Sequence, residues 1–448
     1  MTRRALGVFV LALIVRLIFL AALAPQGDAA LIVGGDSEAY VGIAENLAES
    51  GTYASTEALI PDNHRPPLYP LFLVPFVKLG ASLSLVALVQ DVLVSLAVLF
   101  LYLLGRSVFG ERVALSAAAL LALEPFGAYL SNLMLSEGLF LFLFTPSVLL
   151  LARYLKTRSP RDLYVGALLL GLSALTRSLA LYLVFLIPLV ALIESPRRFA
   201  WRETLIALAL FVLVLSPWLY WNAVTFGSVQ FSSTGSRNLY QDNATLFERW
   251  RYPDREPFFT IENRAAIVGE ENVQTVEGAH ALGRVARDFI LEHPLSYGVF
   301  HILYVPRLFI HDGYLEMYER LSGRDTALTS LSIYDDLAQR DFRGALEQLR
   351  EHPALLAPLV PKLFFAFVSL LALASALLAY RFGDHSLFKV SLFLTALLVA
   401  YAFLVSPVGQ ARLRLAIHPP LFLLASCSFW TLRMWYRERS RAVHPKSV

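Results

Sequence analysis

The chain has 448 residues, 57% of them hydrophobic and only 16% charged, with a formal net charge of +3 and a mean hydropathy of +0.58. Soluble domains carry about a quarter charged residues, so this composition disfavours a water-soluble globule and indicates a polytopic membrane protein. So small a net charge gives no argument for a nucleic-acid partner, and the single cysteine, Cys427, excludes an intramolecular disulfide and reads as a small buried hydrophobe.

In chain order, basic residues precede an apolar stretch ending at Leu23, interrupted by Arg16. It is about long enough to span, which suits a signal anchor better than a cleaved peptide. Backbone polar groups cannot stay unpaired in lipid, so the apolar runs must be helices; the alternation of a barrel strand is absent. Spans are predicted near Leu6–Leu23, Leu83–Leu104, Val113–Leu130, Leu135–Tyr154, Leu163–Thr176, Leu179–Ile193, Thr204–Trp221, Leu355–Tyr380, Leu387–Val405 and Ala416–Trp435. Pro66–Leu79 is too short and proline-rich to cross and suits an interfacial or re-entrant helix. The expected fold is all-α, with about ten transmembrane helices, interfacial helices and a small exported domain in the C-terminal half. Residues 1–221 form a transmembrane module with a first exported loop at 25–70, residues 222–354 an exported soluble or interfacial domain, and residues 355–448 the last transmembrane helices. Within 222–354, Thr225–Asn243 reads as loop, whereas Ala279–Glu292 and Leu295–Phe309 carry helical patterns, the latter suited to an interface.

Orientation follows from lysine and arginine in short loops. Arg3/Arg4, Arg106/Arg112, the Arg153–Arg161 cluster, Arg197/Arg198/Arg202, Arg381/Lys389 and Arg433–Arg441 fall on one side when ten crossings are counted. That side is expected to be cytoplasmic, with both termini in it, in a plasma (inner) membrane. The loop after the first span, Glu137, Arg177, the long polar segment and Arg412/Arg414 fall on the other.

The first exported loop is the densest in chemistry. Asp36 and Glu38 open it where a helix emerges from the membrane; a carboxylate fixed there can act as a general base, or Asp36 can simply cap the helix that follows. Arg65, beside Pro66-Pro67-Leu68-Tyr69-Pro70, suits a phosphate or a lipid headgroup. Glu137 and Arg177 stand at membrane depth, where an ionisable residue is functional or paired; here they either serve a site or pair with each other. Arg412 and Arg414 put two cations in an exported loop, against the positive-inside bias, so a diphosphate or phosphate group, or a salt bridge to the Asp36 loop, should compensate them. Glu124, beside Pro125, is a weaker candidate of the same kind. His280, His293, His301 and His311 lack metal-ligand spacing, and His311-Asp312 reads as a surface turn, so no metal ligands are assigned. GxSxG, Walker and GxGxxG motifs are absent. Asn243-Ala244-Thr245 matches the glycosylation sequon, a pattern common by chance.

Taken together, Asp36-Ser37-Glu38-Ala39-Tyr40, Arg65-Pro66-Pro67-Leu68-Tyr69-Pro70, Ser136-Glu137, Leu175-Thr176-Arg177, Pro217-Trp218 with Asn222, and Gln410–Arg414 resemble, in this order, the C-type superfamily of polytopic glycosyltransferases. The similarity is to the branch of protein O-mannosyltransferases and bacterial aminoarabinose transferases. It implies an inverting transferase whose donor is a sugar on a polyprenyl phosphate, with Asp36 deprotonating the acceptor and Arg65, Arg177, Arg412 and Arg414 holding the donor phosphate. Tyr69 joins the substrate-binding candidates. Glu38 and Glu137 would orient sugar or acceptor, or help hold a divalent cation (Mg2+ or Mn2+) of the kind some members use. Ser37 separates Asp36 from Glu38 where many members have adjacent acidic residues, which leaves open which carboxylate is the base. The implied partners are membrane lipids, the lipid-linked donor and a glycan, lipid or protein acceptor. The alternatives are a ligase or polymerase using a polyprenyl-diphosphate donor, and a lipid or solute transporter; the latter should show internal repeats, and none is apparent.

Overall fold

A computed structural model describes residues 2–56, 58–194, 200–273, 275–311, 313–323, 341–352 and 359–443. Arg197, Arg198 and Asp312 lie outside it. Among the described residues every regular element is helical, as the composition requires of a chain immersed in lipid. Among the described residues seven helices are long and apolar enough to cross a membrane, and the chain is an integral membrane protein.

The helices of the first half are α1 (Arg3–Leu23), α2 (Gly34–Glu49), α3 (Leu68–Lys78), α4 (Leu83–Phe109), α5 (Glu111–Leu123), α6 (Pro125–Leu130), α7 (Glu137–Thr157), α8 (Pro160–Thr176), α9 (Leu186–Glu194) and α10 (Trp201–Phe226). The expected span Val113–Leu130 is two helices. Pro125 has no N–H to continue the α5 ladder, and the Glu124 carboxylate instead caps α6, accepting from Phe126 N (3.1 Å) and Gly127 N (2.6 Å). Glu124 is therefore first of all a helix cap. The expected spans over Leu163–Thr176 and Leu179–Ile193 appear as α8 and as a tight 3-10 stretch, Ser178–Phe185, running into α9. Each is shorter than the seven. α3, with 11 residues, is also too short to cross.

α7 is the axis of the bundle. It packs against α4, α8, α9 and the helix His385–Val405, and 89% of its apolar window is buried against protein. Small residues permit that closeness, since lipid offers no hydrophobic drive between helices. A Cβ on Gly166 would lie 3.0 Å from Leu151 and 3.3 Å from the Ser147 carbonyl, and Ser147 Oγ donates to Gly166 O at 2.8 Å. α1 and α10 sit outside it, with only 22% and 28% of their windows buried, and turn apolar faces outward. Leu359–Arg381, His385–Val405 and His418–Val443 close the bundle, the first packed on the other two.

Between α10 and Leu359 lies a layer of short helices. Val276–Glu292 forms close to where periodicity places it. The helix expected over Leu295–Phe309 stops at Tyr304 and resumes at Arg307, Pro306 breaking it. Its Phe300 and Tyr304 are buried while Leu295, Val299 and Ile302 are exposed, an apolar outer face of the kind that lies in a membrane interface. Asn243 of the sequon accepts from Tyr297 Oη at 2.8 Å.

Candidate active site

The ends of several helices meet around one cavity of about 580 Å3, lined among others by Asp36, Arg65, Arg177 and Arg412. Asp36 stands in the first turn of α2 and makes no capping bond; the helix is capped at Val33 without a side-chain acceptor. Its carboxylate is instead gripped from both sides. Arg65 Nη2 donates to Oδ1, and Arg412 Nη2 lies 2.8 Å from Oδ2. Arg412 Nε also donates to Glu137 Oε1, and Arg177 Nη1 meets the same oxygen at 2.5 Å. The five side chains thus alternate in sign, Arg65–Asp36–Arg412–Glu137–Arg177, with three guanidiniums against two carboxylates and one positive charge left over. Both paired alternatives drawn from the sequence, Glu137 with Arg177 and Arg412 with the Asp36 loop, are realised in one network.

Each member is held by its own support. Arg65 ends a loop pinned by the motif at the end of α10. Asn63 Nδ2 donates to Asn222 Oδ1 (2.7 Å), and Asn63 Oδ1 accepts from Ser233 N (3.1 Å). Asn222 Nδ2 returns to Trp218 O at 2.8 Å, and Trp218 Nε1 donates to Phe231 O at 2.7 Å. Tyr53, packed edge-on against Trp218 and Trp221, donates to Arg65 O at 2.8 Å. Fully buried amides that satisfy each other in this way fix a loop tightly, because any displacement leaves polar groups unpaired. The Arg65 guanidinium also lies 5.4 Å from the Tyr40 ring centroid.

Arg412 rides on the short helix Ala411–Arg414. Arg414, fully buried, points away from the cavity: its guanidinium stacks 3.6 Å over Phe365 and donates to the carbonyls of Leu308 (3.0 Å) and His311. Gly409, at φ +49°, passes so close to the Arg307–Leu308 backbone that a Cβ would lie 2.9 Å from Leu308 N. Arg414 therefore anchors the segment that presents Arg412. Tyr69 is likewise inside, donating to Gln90 Oε1 at 2.7 Å and meeting Tyr40 edge-on at 4.8 Å. Glu38 is exposed and takes no part in the cavity lining. Of the eight sequence candidates, the structure gathers Asp36, Arg65, Glu137, Arg177 and Arg412, sets Tyr69 and Arg414 behind them, and leaves Glu38 outside. Tyr40 and Ser136, joined at 3.1 Å, lie inside the motifs Asp36–Tyr40 and Ser136-Glu137 without being among the site candidates, and Asp242, which also lines the cavity, carries no motif that would have marked it.

Burial pushes the Asp36 carboxyl up, but Arg65 and Arg412, with Arg177 beyond them, outweigh it and hold it at about 2. Asp36 is thus ionised at any physiological pH and, while gripped, a feeble base. Arg65 Nε and Glu137 Oε2 are buried with no hydrogen-bond partner among the described residues. The cavity does not fit a divalent cation: both oxygens of Asp36 and Oε1 of Glu137 already face guanidiniums, and among the described residues no three His, Cys, Asp or Glu side chains converge. The arrangement suits an anion that exchanges partners with the arginines.

The chain has the fold of solved helical membrane transferases. The family model described as dolichyl-phosphate-mannose-protein mannosyltransferase matches residues 64–221, from the residue before Arg65 to the residue before Asn222. Among solved structures, the chain is similar to the apo oligosaccharyltransferase of Archaeoglobus fulgidus, with 15% identity, 98% of this chain and 52% of that one covered, and a TM-score of 0.50. It is similar too to Archaeoglobus fulgidus AglB in complex with an inhibitory peptide and a dolichol-phosphate, with 14% identity, 99% and 52% covered, and a TM-score of 0.50. ArnT from Cupriavidus metallidurans bound to undecaprenyl phosphate shares 16% identity over 98% of this chain and 79% of that one, with a TM-score of 0.43. The chain spans about half the length of the archaeal structures. No curated protein sequence matches it.

Proposed function

We propose that the protein is an inverting glycosyltransferase that moves a sugar from a polyprenyl-phosphate donor to an acceptor hydroxyl at the extracytoplasmic face of the membrane. The observation that carries this reading is the alternating chain Arg65–Asp36–Arg412–Glu137–Arg177, with Asp36 and its two arginines facing the cavity. Its surplus positive charge matches the single negative charge of a phosphodiester. The prenyl chain stays among the apolar helices while phosphate and sugar enter the cavity.

The donor phosphate exchanges places with Asp36 on Arg65 and Arg412. The released carboxylate loses the two cations that depress its basicity and takes the proton of the acceptor hydroxyl. That oxygen bonds to the anomeric carbon from the face opposite the phosphate, the bond from carbon to phosphate oxygen breaks, and polyprenyl monophosphate leaves with its new charge held by the arginines. Glu137 and Arg177 keep Arg412 in place.

The test is lipid release from protein in liposomes, with a panel of undecaprenyl-phosphate sugars and a cell-envelope extract as acceptor source. Wild type should release undecaprenyl monophosphate, and Asp36→Asn should be slower by about 10²- to 10⁴-fold, the range of a lost general base. Full activity in a folded Asp36→Asn protein removes Asp36 from the mechanism. No release from any monophosphate-linked sugar, together with release of undecaprenyl diphosphate when a diphosphate-linked glycan is supplied as donor, would move the protein to the ligase or polymerase class.

A further inference from the structure

The cavity has a second wall that the arginine–carboxylate chain does not reach. Ser232, Thr234, Asn238, Gln241, Asp242 and Asn243 face into it from the segment that follows α10. Five are neutral hydrogen-bonding side chains and one is a carboxylate. Asp242, Gln241 and Asn243 sit on a wide π-helical turn, Leu239–Ala244, a rare conformation often found where function requires it. The turn is braced from behind. Tyr240 and Ala244 are fully buried with Phe259, Leu282 and Ala286. Thr245 Oγ1 donates to Phe259 O at 2.8 Å, and Asn243 is tied to Tyr297 at 2.8 Å. Its outward face is therefore fixed before any ligand arrives.

Asp242 is half-buried, yet its carboxylate takes no hydrogen bond and no ion pair among the described residues. Burial, then the charge of Asp36 across the cavity, raises its carboxyl to about 6. A carboxylate withdrawn from water without a partner is costly, and nothing else in this wall offsets the cost. Acceptor oxygens from a carboxylate, ringed by amides and hydroxyls, form a surface complementary to a polyol rather than to an anion or an apolar chain.

Resting on the transferase reading, we propose that this turn is the sugar-reading edge of the cavity, where Asp242 accepts hydrogen bonds from adjacent hydroxyls of a pyranose. Gln241 and Asn238 supply donors and acceptors to the hydroxyls beside them. The pyranose belongs either to the donor or to a glycan acceptor, and the two sources separate in one experiment.

The full chain in nanodiscs is titrated with bare undecaprenyl phosphate, with undecaprenyl-phosphate hexoses and their singly deoxygenated analogues, and with soluble methyl hexosides. Wild type is compared with Asp242→Asn and Asp242→Ala. The expected result is unchanged affinity for bare undecaprenyl phosphate in both variants. One class of sugar ligand should weaken by about 10- to 100-fold, the size of one or two hydrogen bonds to a charged group. Removing the hydroxyl that Asp242 reads should cost wild type the same factor and the variants nothing, as coupled partners require. Loss confined to the lipid-linked hexoses makes the pyranose the donor's; loss confined to the methyl hexosides makes it the acceptor's. Both sugar classes bound equally by wild type and variants would overturn the proposal, as would a wild type that binds no sugar. A wild type that binds methyl hexosides through Asp242 but no polyprenyl phosphate would refute the donor reading and leave the sugar edge standing.

Discussion

Replacing Arg412 with Gln removes the cation that touches both Asp36 and Glu137. Glu137 is 4% exposed, and its Oε1 takes both Arg412 and Arg177 while Oε2 has no partner among the described residues. Removing one partner of a buried ion pair costs about 3 to 5 kcal/mol, because the remaining charge is left desolvated. Here Arg177 stays on Glu137 and Arg65 stays on Asp36, so the lower end applies, about 3 kcal/mol. Converting Glu137 to Gln as well takes away the carboxylate that had lost its second cation, although it leaves Arg177 without that ion pair, and the double variant should be about 1 to 2 kcal/mol less destabilised than the sum of the two single variants. Equilibrium unfolding in mixed micelles, followed by tryptophan fluorescence, measures both. Activity should separate from stability: lipid release should fall by about 10²-fold or more in the single variant and stay low in the double, because the phosphate contact is gone in each. A single variant destabilised by less than about 1 kcal/mol, with a strictly additive double, would refute the claim that Arg412 couples the two carboxylates.

Asn63→Ala leaves the Asn222 amide and Ser233 N–H without their buried partner; unfolding should show a loss of about 1 to 3 kcal/mol, and donor KM should rise as the Arg65 loop loosens. The Asp36 carboxyl is depressed to about 2, so the stability of its ion pairs is present above the ordinary carboxylate range and is lost only as pH falls through about 2. Carboxyl infrared bands should therefore show no Asp36 protonation between pH 7 and 4, and Arg65→Gln should move it up into that window. Sidedness is testable because the only native cysteine, Cys427, is buried: a membrane-impermeant maleimide should label Ser50→Cys in intact cells and Thr157→Cys only after permeabilisation. The reverse pattern would invert the proposed topology.

Fold class was legible in the sequence because bilayers restrict backbone to helices, so apolar run length alone marks the candidate spans. The same logic failed at Val113–Leu130, where hydropathy is continuous but Pro125 breaks the ladder and Glu124 caps the new helix. The Asp36, Arg65, Glu137, Arg177 and Arg412 group was also visible, since ionisable residues at helix ends stand out against an apolar background. Its division of labour was not. Glu38 lies only two residues from Asp36, and a helix turns about 100° per residue, so it projects to solvent on another face. Arg412 and Arg414 share the same local composition, yet one bridges two carboxylates and the other is stacked on Phe365. The sequence by itself determined a helical membrane protein with charge gathered in its loops. Only the tertiary structure decided that Arg412 joins α2 to α7, that the α10 motif clamps the Arg65 loop, and that Asp242 faces the cavity. Those contacts link residues up to hundreds of positions apart, and no local period or composition encodes which distant element closes on which.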